Sequence, residues 1–184
     1  VVLSVKEASV NISGIFVQNL IVEAVPILLF FLFLFRLGKN FQTEMYLKIT
    51  GKMQKCTVGI LGGILLALAL WCLVTKADKV TVLYNLLYYT VFIAFAEEFV
   101  VRGVCVYLVR GEKPYIRYLA PNLLFAAMHL FSYANWGAIT VPYVISFVSS
   151  ELLGLLTMGC IFQFLKEKSG TLWTAVLVHA ILVQ

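Results

Sequence analysis

Long apolar runs separated by short hydrophilic connectors recur along the whole chain, and they constrain its fold more than any other feature. The runs lie at 15–37, 56–75, 80–109, 118–131, 138–165 and 171–184. About 20 apolar residues are enough for a helix to cross a bilayer. Charged residues make up 12% of the chain, against about 25% in a soluble domain. We predict a single all-α domain over 1–184, a polytopic transmembrane helix bundle of about six spans.

Basic residues are distributed unequally between the two ends of these runs. Eleven Lys and Arg residues lie toward or after the ends of the first, third and fifth runs, counting Arg102 within the third, and three lie on the opposite side. Positive residues concentrate in cytoplasmic connectors, so the asymmetry predicts an N-terminus outside the cell. It also explains the net charge of +5. We therefore expect the lipid bilayer, and no nucleic acid, as a partner.

Several residues within the runs predict details of packing. Gly59 and Gly63 form a GxxxG face at which helices can approach closely. Pro142 is expected to interrupt the fifth run near its start. Glu23 and Glu151 are expected to pair with a neighbouring span or to reach an interface, and Glu151 to support a site. The four cysteines lie far apart without a CxxC pair and are expected to be packing residues.

The chain lacks an initiator Met and stops within an apolar run, so we interpret it as a fragment.

Three charged residues stand inside the third run, in the pattern Glu97-Glu98-x-x-x-Arg102. An ionised group near the centre of a bilayer costs roughly 2.5–3.5 kcal/mol, so these residues are expected to pair, to face a wet cavity or to take part in chemistry. Glu98 and Arg102 are four residues apart and can pair on one helical face. Glu97 is rotated by about 100° from that face, which leaves it available as a general base or acid. A purely structural ion pair between two spans is the alternative.

The chain contains two histidines, His129 and His179, and both lie within predicted spans. Phe125 precedes His129 by four residues, and Asn122 lies seven residues before it on the same helical face. At about 1.5 Å per residue, Glu97 and both histidines lie roughly 13–20 Å from the connectors at one side of the membrane. The three side chains can therefore reach a shared site at one depth, open to the cytoplasmic half.

One carboxylate and two imidazoles support two kinds of chemistry. Glu97, His129 and His179 can ligate zinc and leave a fourth position for water. Alternatively, Glu97 and His129 activate a water directly while His179 stabilises the oxyanion. No HExxH motif is present. The residues alone leave both alternatives open.

The order of these motifs resembles that of the CPBP family, the CAAX protease and bacteriocin-processing family that is also called Abi. The resemblance covers about 84–184. It rests on Glu97-Glu98-x-x-x-Arg102, on Phe125-x-x-x-His129, and on a His in the last span, His179, preceded by Ser-Gly-Thr-Leu-Trp at 169–173.

The resemblance implies an intramembrane glutamate endopeptidase that acts on a membrane-presented or lipidated peptide. By the same resemblance, Glu97 and His129 activate water and His179 helps to stabilise the oxyanion, with no metal or other cofactor required. Zinc at these three residues is the alternative. The compact connectors favour a bacterial cell membrane over the endoplasmic reticulum.

One position departs from the family pattern, which usually has Asn or Asp four residues after the last His. Val183 occupies that position here. Losing one oxyanion donor typically costs about 10²–10³ in rate. We therefore expect a slow enzyme, an enzyme that uses another donor such as Asn122, or an inactive member acting as a membrane scaffold or bacteriocin self-immunity protein. A proton-coupled transporter is disfavoured because no internal repeat is evident.

Overall fold

A computed structural model describes residues 24–132 and 140–183, and every regular element in these ranges is helical. The helices are α1 (Ala24–Glu44, with a 3₁₀ turn at Gly38–Asn40), α2 (Lys52–Thr75), α3 (79–108), α4 (Pro114–Ser132), α5 (Val141–Ser150), α6 (Leu152–Ser169) and α7 (Leu172–Val183). The predicted all-α class is confirmed for these residues.

Two helices among the described residues, α1 and α2, are long and apolar enough to cross a membrane. A third crossing is obtained if α5 and α6 are taken as one span bent by 45°. Large apolar side chains of α1 and α2, such as Phe35 and Trp71, are exposed, as expected of helices that contact lipid. The predicted count of six spans is therefore not confirmed. Residues 15–23 of the first predicted run lie outside the described ranges.

Helix α3 is continuous but irregular. It is α-helical at Lys79–Leu87, Ala96–Glu98 and Val106–Leu108, and it is a π-helix at Tyr88–Phe95 and Phe99–Cys105. An apolar run of about 30 residues is longer than a bilayer needs, so a helix formed by it is expected to tilt, kink or protrude. The two π segments are an irregularity of another kind, and such segments are frequent at functional sites. Glu97 and Glu98 lie in the short α-helical turn between them.

The fifth run is broken, although not where its proline predicted. Pro142 lies in the first turn of α5, behind the N-cap residue Thr140. Proline is tolerated there because the first helical N–H groups have no intrahelical partner in any case. The bend instead falls at Glu151, between α5 and α6. The predicted interruption at Pro142 was therefore wrong by about two helical turns.

The GxxxG face of α2 does not pack within the described part of the chain. Gly59 and Gly63 are both exposed, and a Cβ atom added to either would meet nothing within 4 Å. The prediction of a close helix contact at these glycines is wrong for the described residues. Helix α2 contacts the rest of the bundle mainly through α7 and α3.

Helix α7 lies inside the bundle, packed against α2, α3 and α6. Leu172, Ala175, Val176 and Ala180 are all buried on it. A helix that is apolar on all sides is typical of such a central position. Helix α4 in turn packs against α6 and α3. His179 is therefore presented from the central helix toward its neighbours.

The connector between α1 and α2 is folded onto the start of α7. The carbonyl of Tyr46 accepts a hydrogen bond from the N–H of Leu172 at 2.8 Å. The carbonyl of Leu47 accepts one from Nε1 of Trp173 at 2.9 Å. Tyr46 has φ +57°, a conformation that non-glycine residues adopt rarely. The connector thus satisfies the first backbone N–H of α7 and holds the Trp173 indole, which fixes the N-terminal end of this helix.

An apolar core joins α1 and this connector to α3 and α7. Its buried members are Phe33, Phe41, Met45, Phe99, Val104, Leu172 and Val176. Aromatic rings of α1 and α3 meet at the edge of this core, where the centroids of Phe30 and Phe99 lie 5.2 Å apart. The core holds the π segments of α3 against α7.

Candidate active site

Glu98 and Arg102 form a fully buried ion pair on α3. Nη1 of Arg102 lies 3.1 Å from Oε1 of Glu98, and neither side chain is exposed. The pairing that the four-residue spacing predicted is confirmed. Taking two charges out of water costs several kcal/mol for each ion, so such a pair needs further hydrogen bonds.

Residues of α4 and α6 hold the rest of the Arg102 guanidinium. Nη2 donates to Oδ1 of Asn122 at 3.1 Å. The guanidinium carbon lies 4.5 Å from the ring centroid of Phe125 and 5.5 Å from that of Phe162. A cation over aromatic faces is stabilised by their quadrupoles. Asn122 and Phe125, selected from the sequence beside His129, therefore contact Arg102.

The side-chain amide of Asn122 uses both of its N–H groups within this cluster. Its Nδ2 donates to the carbonyl of Tyr118 at 2.7 Å and to Oε1 of Gln163 at 2.9 Å. An amide nitrogen has two hydrogens, so both are used. An oxyanion would have to displace one of these bonds to use Asn122 as a donor. In this arrangement Asn122 positions Arg102.

Gln163 on α6 is a site residue that the sequence analysis missed. Pro121 on α4 explains why an amide donor is needed at this position. Proline has no N–H, so the carbonyl of Arg117 four residues earlier loses its helical donor. Nε2 of Gln163 donates to that carbonyl at 3.0 Å. The available signal was a lone amide within an apolar run, together with a proline inside the fourth span.

Gly159, also on α6, is a second missed residue. A Cβ atom at this position would lie 2.8 Å from Oδ1 of Asn122 and 3.0 Å from Nη2 of Arg102. Real Cβ atoms do not approach other atoms so closely, and both neighbours are held by hydrogen bonds. Only glycine therefore lets α6 approach the hydrogen bond between Arg102 and Asn122.

Lys166 belongs to the same buried cluster, although the sequence placed it in a hydrophilic turn. Its Nζ donates to the carbonyl of Arg102 at 2.8 Å and lies 4.0 Å from the ring centroid of Tyr46. Helix α6 continues to Ser169, and Gly170 ends it with φ +70°, the left-handed conformation common after helices. The connector between the fifth and sixth predicted runs therefore begins about one helical turn later than the end of the fifth run at 165 indicated.

His179 bridges the two glutamates. Its Nδ1 lies 3.0 Å from Oε1 of Glu98, and its Nε2 lies 3.9 Å from Oε2 of Glu97, which is longer than a hydrogen bond. The ring stacks on Phe162 with centroids 4.9 Å apart and planes inclined by 17°. An ionised carboxylate can only accept, so Nδ1 carries a hydrogen. Nε2 then accepts when the ring is neutral and donates when it is an imidazolium.

Glu97 and Glu98 have different surroundings, as the sequence predicted. The side chain of Glu97 is 32% exposed, whereas that of Glu98 is fully buried. Glu97 lies within electrostatic range of His179, His129 and Arg102 as well as Glu98. Glu98 is thus held in a buried ion pair, whereas Glu97 stays partly exposed next to the imidazole of His179.

His129 is half-buried on α4, and its orientation is fixed by its own helix. Nδ1 lies 2.8 Å from the carbonyl oxygen of Phe125. A carbonyl only accepts, so Nδ1 carries the hydrogen and Nε2 is the acceptor in the neutral ring. The ring also meets that of Phe125 edge to face, with centroids 4.6 Å apart. This tautomer suits a residue that receives a hydrogen bond or a proton.

Among the described residues, no group of three or more His, Cys, Asp or Glu side chains could hold a metal ion. Glu97, His129 and His179 therefore do not form a preassembled zinc site here. The arrangement gives the zinc alternative no support. The expectation that no metal is needed stays a prediction, to be tested by direct measurement.

The remaining predicted residues lie at the edges of this cluster or away from it. Val183 is half-buried in the last turn of α7, and its apolar side chain cannot donate a hydrogen bond. Glu151 is exposed at the junction of α5 and α6, where it lines a cavity with Tyr143 and Ser150. The supporting role expected of Glu151 is therefore not confirmed. Glu23 lies outside the described residues.

One comparison with known families bears on these residues. Residues 79–183 match the family described as type II CAAX prenyl endopeptidase Rce1-like. The match extends from the first residue of α3 to the last residue of α7, so it includes both glutamates, Arg102 and both histidines. No match to a curated protein or to a solved structure was found.

Proposed function

The chain belongs to the type II CAAX prenyl endopeptidase Rce1-like family, and on that premise we propose that it hydrolyses a peptide bond of a membrane-presented or lipidated peptide. The membership confirms the resemblance to CAAX proteases. One observation carries the proposal further: Glu97 stays partly exposed beside His179 while its neighbour Glu98 is fully buried against Arg102. That division separates a reactive carboxylate from a structural one.

In the proposed reaction, Glu97 removes a proton from a water molecule. Nε2 of His129 accepts the other hydrogen of this water in a hydrogen bond, because its Nδ1–H is engaged by Phe125. The water oxygen forms a bond to the carbonyl carbon of the peptide, and the carbonyl π electrons move to its oxygen. A positioned general base contributes typically 10²–10⁴ in rate.

His179 stabilises the resulting oxyanion in this proposal. The scheme uses the imidazolium form of the ring, in which Nδ1–H contacts Glu98 and Nε2–H donates to the oxyanion. When the oxyanion collapses, the C–N bond breaks and Glu97 returns its proton to the leaving amine. Glu98 and Arg102 contact no reacting atom in this scheme and act by orienting His179.

The second candidate function is a membrane scaffold or bacteriocin self-immunity protein that keeps the fold without catalysis. Val183 favours it, since a polar donor is usual at that position by family resemblance. A scaffold does not need Glu97, so Glu97→Gln would preserve its function. An endopeptidase loses its function with the same change, which separates the two candidates.

The setting that we propose is a bacterial cell membrane, on the strength of the compact connectors. The direct test is cleavage of a fluorogenic prenylated peptide by the purified protein in liposomes, with products identified by mass spectrometry. We expect one internal cleavage, at a rate unchanged by a chelator. Activity that the chelator removes and zinc restores would contradict the metal-free mechanism.

A further inference from the structure

Two adjoining cavities lie along α1, and neither is lined by Glu97, Glu98, His129 or His179. The first measures about 190 Å³ and is wholly apolar, between α1 and α3, with Ile27 and Phe92 among its walls. The second measures about 910 Å³ and lies between α1, the connector to α2, and α7. Phe30 and Phe95 line both cavities, so the two adjoin each other.

The larger cavity is cationic. Lys39 from the 3₁₀ turn of α1 and Lys48 from the connector both line it, together with Gln42 and Trp173. None of its lining residues is acidic. Within the described ranges, neither lysine takes part in an ion pair. Two lysines from different elements thus converge on one cavity without a compensating carboxylate.

The spacing of the two cavities along α1 matches the depth of one leaflet. Ile27 in the apolar cavity and Lys39 in the cationic cavity are twelve residues apart, or about 18 Å along a helix. Half of a hydrocarbon core is about 15 Å. An apolar cavity that adjoins a cationic one fits a molecule with an acyl chain in the apolar cavity and an anionic head group in the cationic cavity.

We propose that these cavities bind an anionic phospholipid, with its phosphate at Lys39 and Lys48 and one acyl chain between α1 and α3. Basic pockets between transmembrane helices recognise anionic head groups in this way. The site is distinct from the candidate active site, because the residues that line it exclude both glutamates and both histidines. Its charge complementarity favours an anionic lipid over a zwitterionic one.

Native mass spectrometry of the full chain tests the proposal without reference to proteolysis. The protein is purified from micelles that contain equal amounts of phosphatidylglycerol and phosphatidylcholine, and retained lipid is counted. We expect retention of phosphatidylglycerol, reduced about 30-fold in Lys39→Gln/Lys48→Gln at about 1 kcal/mol per lysine. The control Lys52→Gln/Lys55→Gln changes two exposed lysines that line neither cavity and should retain the lipid.

A second variant tests the apolar half separately. Ile27→Trp fills the apolar cavity and keeps both lysines, so we expect it to weaken lipid retention while its thermal midpoint stays unchanged. Equal retention of the two lipids by the wild type, or equal losses in both lysine pairs, would overturn the proposal. Displacement of the lipid by glycerol phosphate would overturn the role of the acyl chain. Displacement by a prenylated peptide would show that the cavities belong to the substrate instead.

Discussion

Nδ1 of His179 lies 3.0 Å from Oε1 of Glu98, the oxygen that also contacts Arg102 at 3.1 Å. One carboxylate oxygen therefore links the central helix α7 to α3. From Arg102 the contacts continue to Asn122 on α4 and from there to Gln163 on α6. A single buried network thus sets the position of the imidazole.

Glu98→Gln is expected to destabilise the fold as well as to impair activity. It removes the charge opposite Arg102, and breaking a buried pair in this way costs about 3–5 kcal/mol. The free energy of unfolding in detergent measures the effect. Glu112→Gln, in an exposed connector, is the control and should change neither property. A Glu98→Gln variant as stable as the wild type would contradict the structural role of the ion pair.

Gly159→Ala is expected to reduce both stability and turnover, by about 1–3 kcal/mol in stability, because its Cβ overlaps Asn122 and Arg102. Gly154→Ala on the same helix is the matched control, since a Cβ there meets nothing within 4 Å. The measurement is the unfolding midpoint of each variant, which we expect to be lowered in Gly159→Ala and unchanged in Gly154→Ala. Equal behaviour of the two glycine variants would show that α6 does not approach the ion pair so closely.

Gln163→Leu removes the donor that serves the carbonyl of Arg117 and should cost about 1–3 kcal/mol for each polar group left unpaired. The variant Pro121→Ala restores a backbone N–H that can serve the same carbonyl. We therefore expect Gln163→Leu to cost less in the Pro121→Ala background, with a coupling of about 0.5–3 kcal/mol in a double-mutant cycle. Strict additivity would contradict the proposed link between Gln163 and Pro121.

Val183→Asn is expected to raise kcat, since it supplies a donor four residues after His179. One oxyanion donor is worth about 10²–10³ in rate, which sets the upper limit of the gain. Leu182→Asn places the same side chain on an exposed position and should leave kcat unchanged. An unaltered kcat in Val183→Asn would show that oxyanion stabilisation does not involve this position.

The sequence was sufficient to predict features that depend on local spacing. The ion pair of Glu98 and Arg102 follows from a separation of four residues on a helix. The different burial of Glu97 follows from the rotation of one residue along the same helix. The length of the second apolar run predicts helix α2, and the observed start of this helix differs from the prediction by only a few residues.

Features that depend on contacts between distant helices could not be predicted from spacing. Gln163 and Lys166 looked like an isolated amide and a turn lysine, because their partners lie 46 and 64 residues away in the chain. Gly159 looked like any small residue in a span. Pro142 looked like a helix breaker, because its position in a first turn is set by where α5 begins.

The central claim is that Glu97 is the reactive carboxylate, and one measurement tests it most directly. Wild-type protein and Glu97→Gln are compared for cleavage of the fluorogenic prenylated peptide in liposomes, with unfolding midpoints measured for both. We expect Glu97→Gln to lose activity by about 10²–10⁴, the contribution of a general base, with an unchanged midpoint. Wild-type turnover by Glu97→Gln would contradict the account.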